Sequence, residues 1–243
     1  MKWCLPVRKP TLIFYLALTF LFLIVIIMII GVHSRVPEYH VSVNVPFDIA
    51  VILDAGHGGQ DGGAVSANGV LEAPITLEIS RKTQLILRFL GVSALMTREN
   101  ENSLGYDASA TIRENKNTDL KERLKISRQY PESVFVSVHL NKFSQSQCSG
   151  AQAFYGVCNP DSKLLAESIQ ENLVALLDPQ NTRVAKRIPG TVFLMERVEN
   201  PAVTIECGFL SNPDEEVLLQ SDSYQTKIAI SIMAGYFEYR KGS

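Results

Sequence analysis

Three short apolar runs in this chain each end at a residue able to bind a metal or move a proton. Val51-Ile52-Leu53 stops at Asp54 and opens into a loop with five glycines between Gly56 and Gly63, which holds one histidine, His57. Val134 to Val138 is followed by His139, and Ala202 to Ile205 by Glu206. Short apolar runs bounded by turn residues read as buried strands. Alternation puts Phe135, Ser137 and His139 on a common face, and Thr204 with Glu206 likewise. Open α/β sheets take their ligands outside the carboxyl ends of the strands. His57, His139 and Glu206 are therefore expected at the C-terminal tips of their strands, along one rim. Glu72 joins them, because it precedes a helix predicted over Pro74 to Leu90 that must start at the same rim. Two His and a carboxylate around an open position suit a catalytic zinc, and a second carboxylate suits a general base.

The rest of the chain alternates in the same way. Strands are predicted at Ile49–Leu53, Val92–Met96, Ser133–Val138, Gly150–Tyr155, Thr191–Met195 and Ala202–Ile205. Helices are predicted at Pro74–Leu90, Asp119–Tyr130, from the Asn159-Pro160-Asp161 cap to about Leu177, and at Asp222–Tyr239, with a polar surface loop over Glu99–Asn117. Strands alternating with helices define a three-layer α/β/α domain with a mostly parallel twisted central sheet.

A hydrophobic helix is predicted to precede this domain. Leu12 to Val32 carries no charge, and at helical rise it spans a bilayer core of about 30 Å. Lys2, Arg8 and Lys9 lie before it with no acid before Val32, which predicts a cytoplasmic amino terminus and an exported remainder. Residues 1–33 thus read as a membrane anchor or a signal segment, 34–46 as a linker, and 47–243 as the catalytic domain. The formal net charge is −2 and no basic stripe occurs, so nucleic acid is not expected as a partner. Among four cysteines, a Cys148–Cys158 bridge across a hairpin is conceivable, and Cys207 reads as a small core residue.

At this point the sequence resembles a known family, the zinc-dependent N-acetylmuramoyl-L-alanine amidases of the Amidase_3 type. The resemblance rests on Leu53-Asp-Ala-Gly-His-Gly-Gly-Gln-Asp-Gly-Gly-Ala64, Met96-Thr-Arg98, Val136-Ser-Val-His-Leu-Asn141 and Pro201-Ala-Val-Thr-Ile-Glu-Cys-Gly-Phe-Leu-Ser-Asn-Pro213. Several separated motifs in order are far more specific than any one alone. The resemblance implies that His57, Glu72 and His139 are zinc ligands and Glu206 the catalytic glutamate. It implies hydrolysis of the amide between the lactyl group of N-acetylmuramic acid and L-alanine in peptidoglycan. The membrane-directing start and short domain look most like the members that act on spore cortex in germination. This implies membrane association, and a functional link to a separate peptidoglycan deacetylase in muramic lactam formation. Where the family favours Lys-Asp or Lys-Glu after the ligand Glu, this chain has Ala73-Pro74; Leu140 and Lys142 also depart from its pattern. Only Asn141 to Ser149 separates the His139 strand from the next, too short for the long inhibitory helix of some periplasmic relatives.

Other residues keep two readings. Asp54 either orients a ligand imidazole or caps a turn. Asn141 contacts substrate or braces its loop. Arg98 and Arg123 read as members of structural pairs, and His33 and His40 as linker residues outside the chemistry. Two functional rivals stand beside the amidase: a non-catalytic peptidoglycan-binding scaffold, and a zinc endopeptidase cutting within the stem peptide.

Overall fold

The computed structural model describes residues 48–242, together with Phe14, Tyr15, Thr19, Phe20, Phe22 and Leu23. The chain divides into two units, Met1–Pro46 and Phe47–Ser243. The six described residues of the first unit are helical. The rest of the predicted apolar helix, with the linker, lies outside the described residues, as do His33 and His40. Among the described residues no helix is long and apolar enough to cross a membrane.

The second unit is built on one six-stranded sheet. Its strands are β1 (Val51–Ala55), β2 (Ala94–Met96), β3 (Val134–Asn141), β4 (Gln152–Tyr155), β5 (Lys186–Arg187) and β6 (Ala202–Phe209), in spatial order β2-β1-β3-β6-β4-β5. β2, β1, β3 and β6 run parallel, and β4 is antiparallel to β6. β1 is buried along its whole length, as expected of a parallel strand covered on both faces.

The helices are α1 (Glu72–Phe89), α2 (Ile112–Gln129), α3 (Ser162–Leu177), α4 (Pro213–Leu219) and α5 (Asp222–Gly242). Ile75 and Leu77 of α1, Leu165 and Ile169 of α3, and Ile228 and Ile232 of α5 share one core with Leu53, Val136, Val138 and Ile205 of the sheet. The opposite face is covered by Leu124 of α2 and by Leu194, Met195 and Val198, packed on Ile52, Phe135 and Ala202. Period-two alternation along the strands therefore feeds two cores. Asp54, Ser137 and His139 lie on the thinner side.

Three expectations are corrected. Thr191–Met195 is not a strand but a series of tight turns, with Val198 N donating to Leu194 O at 2.8 Å. Pro189 and Gly190 stop β5 just before it, so its apolar residues are buried from a turn. The polar stretch before Asp119 is not a loop throughout: α2 begins at Ile112. Thr111 and Glu114 form a reciprocal capping box there, which satisfies backbone donors that an exposed helix start leaves open. Finally, β3 and β6 extend past His139 and Glu206, to Asn141 and Phe209. Both residues therefore sit within strands and not beyond the tips.

Cys148 and Cys158 flank β4 at its opposite ends, so they do not face each other across a hairpin; both thiols are free. Cys207 is fully buried in the larger core, as expected.

Candidate metal centre

β3 and β6 pair in parallel with His139 opposite Glu206. β1 ends one residue before Gly56, whose N–H donates to Val138 O at 3.0 Å and so continues the sheet edge into the Gly-rich loop. His57 then turns back in a left-handed conformation, φ 60°. Glu72, the first residue of α1, points its carboxylate at both rings and is 2% exposed.

His57, Glu72 and His139 offer ligand atoms that all lie within 4.8 Å of one another. Glu72 Oε1 is 2.9 Å from His139 Nδ1, and Oε2 is 3.3 Å from His57 Nε2. The rings meet edge to face, centroids 5.0 Å apart. The same carboxylate accepts the backbone N–H groups of Leu140 (2.9 Å) and Ala64 (2.7 Å), so it is held from both sides. Burial works against its charge, but hydrogen bonds to both imidazoles outweigh that and hold its pKa well below the ordinary value.

The glycines have a steric role here. A Cβ on Gly56 would lie 2.5 Å from His139 Cε1, and one on Gly63 would lie 2.5 Å from Glu72 Oε2 and 2.7 Å from His57 Cδ2. The loop passes so close to all three groups that only glycine fits.

Around this centre are residues that the sequence reading did not single out. Asp61 Oδ2 is 3.0 Å from His57 Nδ1 and 2.9 Å from Lys116 Nζ. It orients the imidazole through the nitrogen that faces away from Glu72, the role outer carboxylates play toward metal-binding histidines. Burial alone would lower the His57 pKa; the hydrogen bonds to Asp61 and Glu72 reverse that and raise it to about 9. The signal was present in the sequence, four residues after His57, but a loop does not declare which of its side chains fold back.

Asp54 fits neither of its two readings. It is 1% exposed and accepts hydrogen bonds from Thr97 Oγ1 (2.8 Å), Ser137 Oγ (2.7 Å) and Arg123 Nη1 (2.6 Å). Arg123, as expected, is a structural pairing residue: it also bonds Asp119 at 2.8 Å, and its Nη2 donates to the His57 carbonyl at 2.6 Å. Arg98 differs from expectation. Among the described residues it forms no ion pair and instead donates to the carbonyls of Ala55, Gly56 and Ala73. Both arginines thus staple the backbone around His57. Asn141 braces its own loop, its Oδ1 accepting the Lys142 N–H at 2.8 Å.

Glu206 stands apart from the triad. Its Oε2 is buried without a hydrogen-bond partner, an expensive arrangement for a structural residue. Burial raises its pKa to about 7; the His139 charge opposes this and the Glu72 charge adds to it. A carboxyl poised near neutrality beside a three-ligand site is the arrangement a general acid–base needs.

A mostly parallel sheet carries at its carboxyl rim a His/Glu/His cluster that could hold a metal ion, beside a buried carboxyl, which is an arrangement suited to a hydrolase. Comparison with known proteins places it further. Residues 51–237 match the Amidase_3 family, N-acetylmuramoyl-L-alanine amidase, and the chain belongs to that family. It is therefore an amidase of the N-acetylmuramoyl-L-alanine class, acting on peptidoglycan. It is 39% identical over 189 residues to the germination-specific N-acetylmuramoyl-L-alanine amidase of Bacillus subtilis, covering 78% of each. The structure of the CwlD amidase from Clostridioides difficile, in complex with the GerS lipoprotein, is similar at a TM-score of 0.77 and 40% identity, over 80% of this chain and 99% of that one. An N-acetylmuramoyl-L-alanine amidase from Clostridium difficile 630 is similar at a TM-score of 0.69 and 25% identity, over 81% of this chain and 99% of that one.

Proposed function

We propose that this chain is a zinc-dependent amidase of spore cortex peptidoglycan, with His57, Glu72 and His139 holding the metal and Glu206 moving the proton. The observation that carries this reading is the convergence of three ligand atoms within 4.8 Å beside an unpartnered buried carboxyl. Two imidazoles and one carboxylate are a donor set that zinc accepts while keeping a position open. Bound there, zinc supplies Lewis acidity toward the scissile carbonyl and makes water acidic near neutrality.

The chain's own residues do the rest. Asp61 and Glu72 hold the His57 ring from its two nitrogens, and Arg123 fixes its backbone. Glu206 takes the proton of the attacking water and returns it to the nitrogen of L-alanine as the amide breaks. A pKa near 7 suits both halves of that exchange. With His57 and His139 side chains 20% and 25% exposed, the site is open enough for a polymeric substrate.

Residues 1–33 direct the chain across the membrane as an anchor or a signal segment, and 34–46 link them to the catalytic domain, 47–243, which is membrane-anchored or secreted on the outer face. The similarity to a germination-specific amidase supports cortex as the substrate, with a peptidoglycan deacetylase acting on the denuded muramic acid. Similarity to an amidase seen in complex with a lipoprotein supports a lipoprotein partner at the membrane surface.

The test is metal analysis of the purified protein together with mass spectrometry of its digests of cortex and of vegetative wall. The expected result is one zinc per chain and release of peptides with amino-terminal L-alanine, faster from cortex. Cuts within the stem peptide would identify an endopeptidase instead, and bound zinc with no cleavage would identify a scaffold.

A further inference from the structure

The row of side chains that contains His139 and Glu206 continues one strand further. β4 is antiparallel to β6 with Gln152 opposite Glu206, so His139, Glu206 and Gln152 stand side by side on three neighbouring strands and face the same way. Gln152 is 5% exposed, and both ends of its amide are engaged. Nε2 donates to Val184 O at 2.9 Å, and Oε1 accepts from Arg183 Nη1 at 3.0 Å.

Arg183 is held on its other sides as well. Its Nε donates to Ser149 O at 2.8 Å, and its guanidinium lies 4.7 Å from the centroid of the Phe209 ring. Phe209 reaches that position through a register shift. His139 pairs with Glu206, but Asn141 pairs with Phe209, so β6 carries one extra residue across this step. The extra residue turns Phe209 off the alternation that buries Ile205 and Cys207, and it belongs to neither apolar core. Phe143 packs against it edge to face at 5.2 Å. A bulge, two aromatic rings and a buried glutamine thus position one guanidinium. Among the described residues its Nη2 has no hydrogen-bond partner and, although its charge is felt by Glu215, Arg183 makes no ion pair. It lines a cavity of about 510 Å³, with Gln147, Gln152, Asp178 and Lys186 among the other lining residues.

We propose that Arg183 forms a subsite for a carboxylate of the stem peptide that leaves. This rests on the amidase reading above. Sugars of the glycan are uncharged at their hydroxyls, whereas the stem peptide carries free carboxylates. A fixed guanidinium with a nitrogen still open is the donor that suits a carboxylate, because its planar fork can give two parallel hydrogen bonds. Its place fits as well. Glu206 delivers a proton to the departing nitrogen, and Arg183 lies on the β4 side of Glu206, away from the histidines. The subsite would hold the peptide half of the substrate there, leaving the Gly-rich loop to the glycan half.

The experiment uses the full zinc-loaded chain and two soluble muramoyl peptides, one with free stem carboxylates and one with those groups blocked as amides. kcat/KM is measured on both for the wild type, Arg183→Lys and Arg183→Gln. The wild type is expected to prefer the free carboxylate by about tenfold or more, the usual effect of a hydrogen bond to a charged group. Arg183→Gln should bring the ratio to within about twofold, and Arg183→Lys should keep part of it. A residue that only braces the loop would lower both rates together and leave the ratio at its wild-type value, which would overturn the proposal. So would equal rates on the two peptides in the wild type, a comparison that does not depend on any variant folding. Cleavage of neither peptide by the wild type would remove the amidase reading itself, and the subsite with it.

Discussion

Arg123 Nη2 donates a 2.6 Å hydrogen bond to the carbonyl of His57, the only non-glycine residue with positive φ among those described. A left-handed φ at such a residue is strained. The strain is held by a side chain from α2, itself 2% exposed and paired with Asp54 and Asp119. Replacing Arg123 by Met leaves two buried carboxylates without their cation and frees the His57 backbone. Such losses cost about 3–5 kcal/mol. Urea unfolding of Arg123→Met should show a loss of that size. Chelator competition should show zinc held about 10–100-fold more weakly.

The glycines give a sharper steric test. Gly56→Ala places a methyl 2.5 Å from the His139 ring, which must move. Gly69→Ala is the control, since its Cβ meets nothing within 4 Å even though its own φ of 85° imposes strain. Gly56→Ala is expected to lose zinc and at least about a hundredfold of turnover, because small misplacements of reacting groups cost that much. Gly69→Ala should keep both and lose only thermal stability.

Asp61 and Lys116 extend the centre outward. Asp61→Asn keeps the shape but removes the charge that fixes the His57 ring, and zinc affinity should fall about 10–100-fold. Saturating zinc should restore most of the turnover. Lys116→Ala should have a smaller effect, since Lys116 is half exposed and contributes only through Asp61.

The pH dependence has a definite sign in the zinc-free protein. The His57 pKa is raised from 6.5 to about 9, so its contribution to stability is fully present below 6.5 and is lost as pH rises through 9. Glu206 acts in the same direction. Its pKa is raised from 4.5 to about 7, so the protein is stabilised below 4.5 and loses that share as pH rises through 7. Chemical denaturation of chelated protein should therefore show stability falling between pH 5 and pH 9.5, by about 1–3 kcal/mol for each group. In Glu206→Gln the lower part of the fall should vanish, and in His57→Gln the upper part. Zinc must displace the His57 proton, so apparent zinc affinity should rise about tenfold per pH unit until pH 9.

His57, His139 and Glu206 were legible because each follows an apolar run whose length and content admit only a buried strand, and a buried strand has one rim. Glu72 was legible from the helix behind it. What the sequence hid has physical causes. The first turns of α2 are polar and exposed, so no apolar period marks them; only the Thr111–Glu114 capping box does. Thr191 to Met195 has strand-like residues, yet Pro189 and Gly190 break the backbone ahead of it and the residues are buried from turns. Asp61 folds back on His57 within one loop, which no periodicity marks, and Arg123 reaches it from a helix far along the chain, a contact that no local pattern encodes. The step in register that turns Phe209 toward Arg183 is equally silent, since alternation assigns Phe209 to the wrong face.

In the proposed function three residues hold the metal while Glu206, in register with His139, does the proton chemistry. The most direct test is zinc content and amide hydrolysis measured together on Glu206→Gln. One zinc per chain is expected, as in the wild type, with turnover reduced about 10²–10⁴-fold. Hydrolysis at the native rate, or loss of the zinc along with the activity, would show that Glu206 is not the proton carrier of a metal site held by the other three residues.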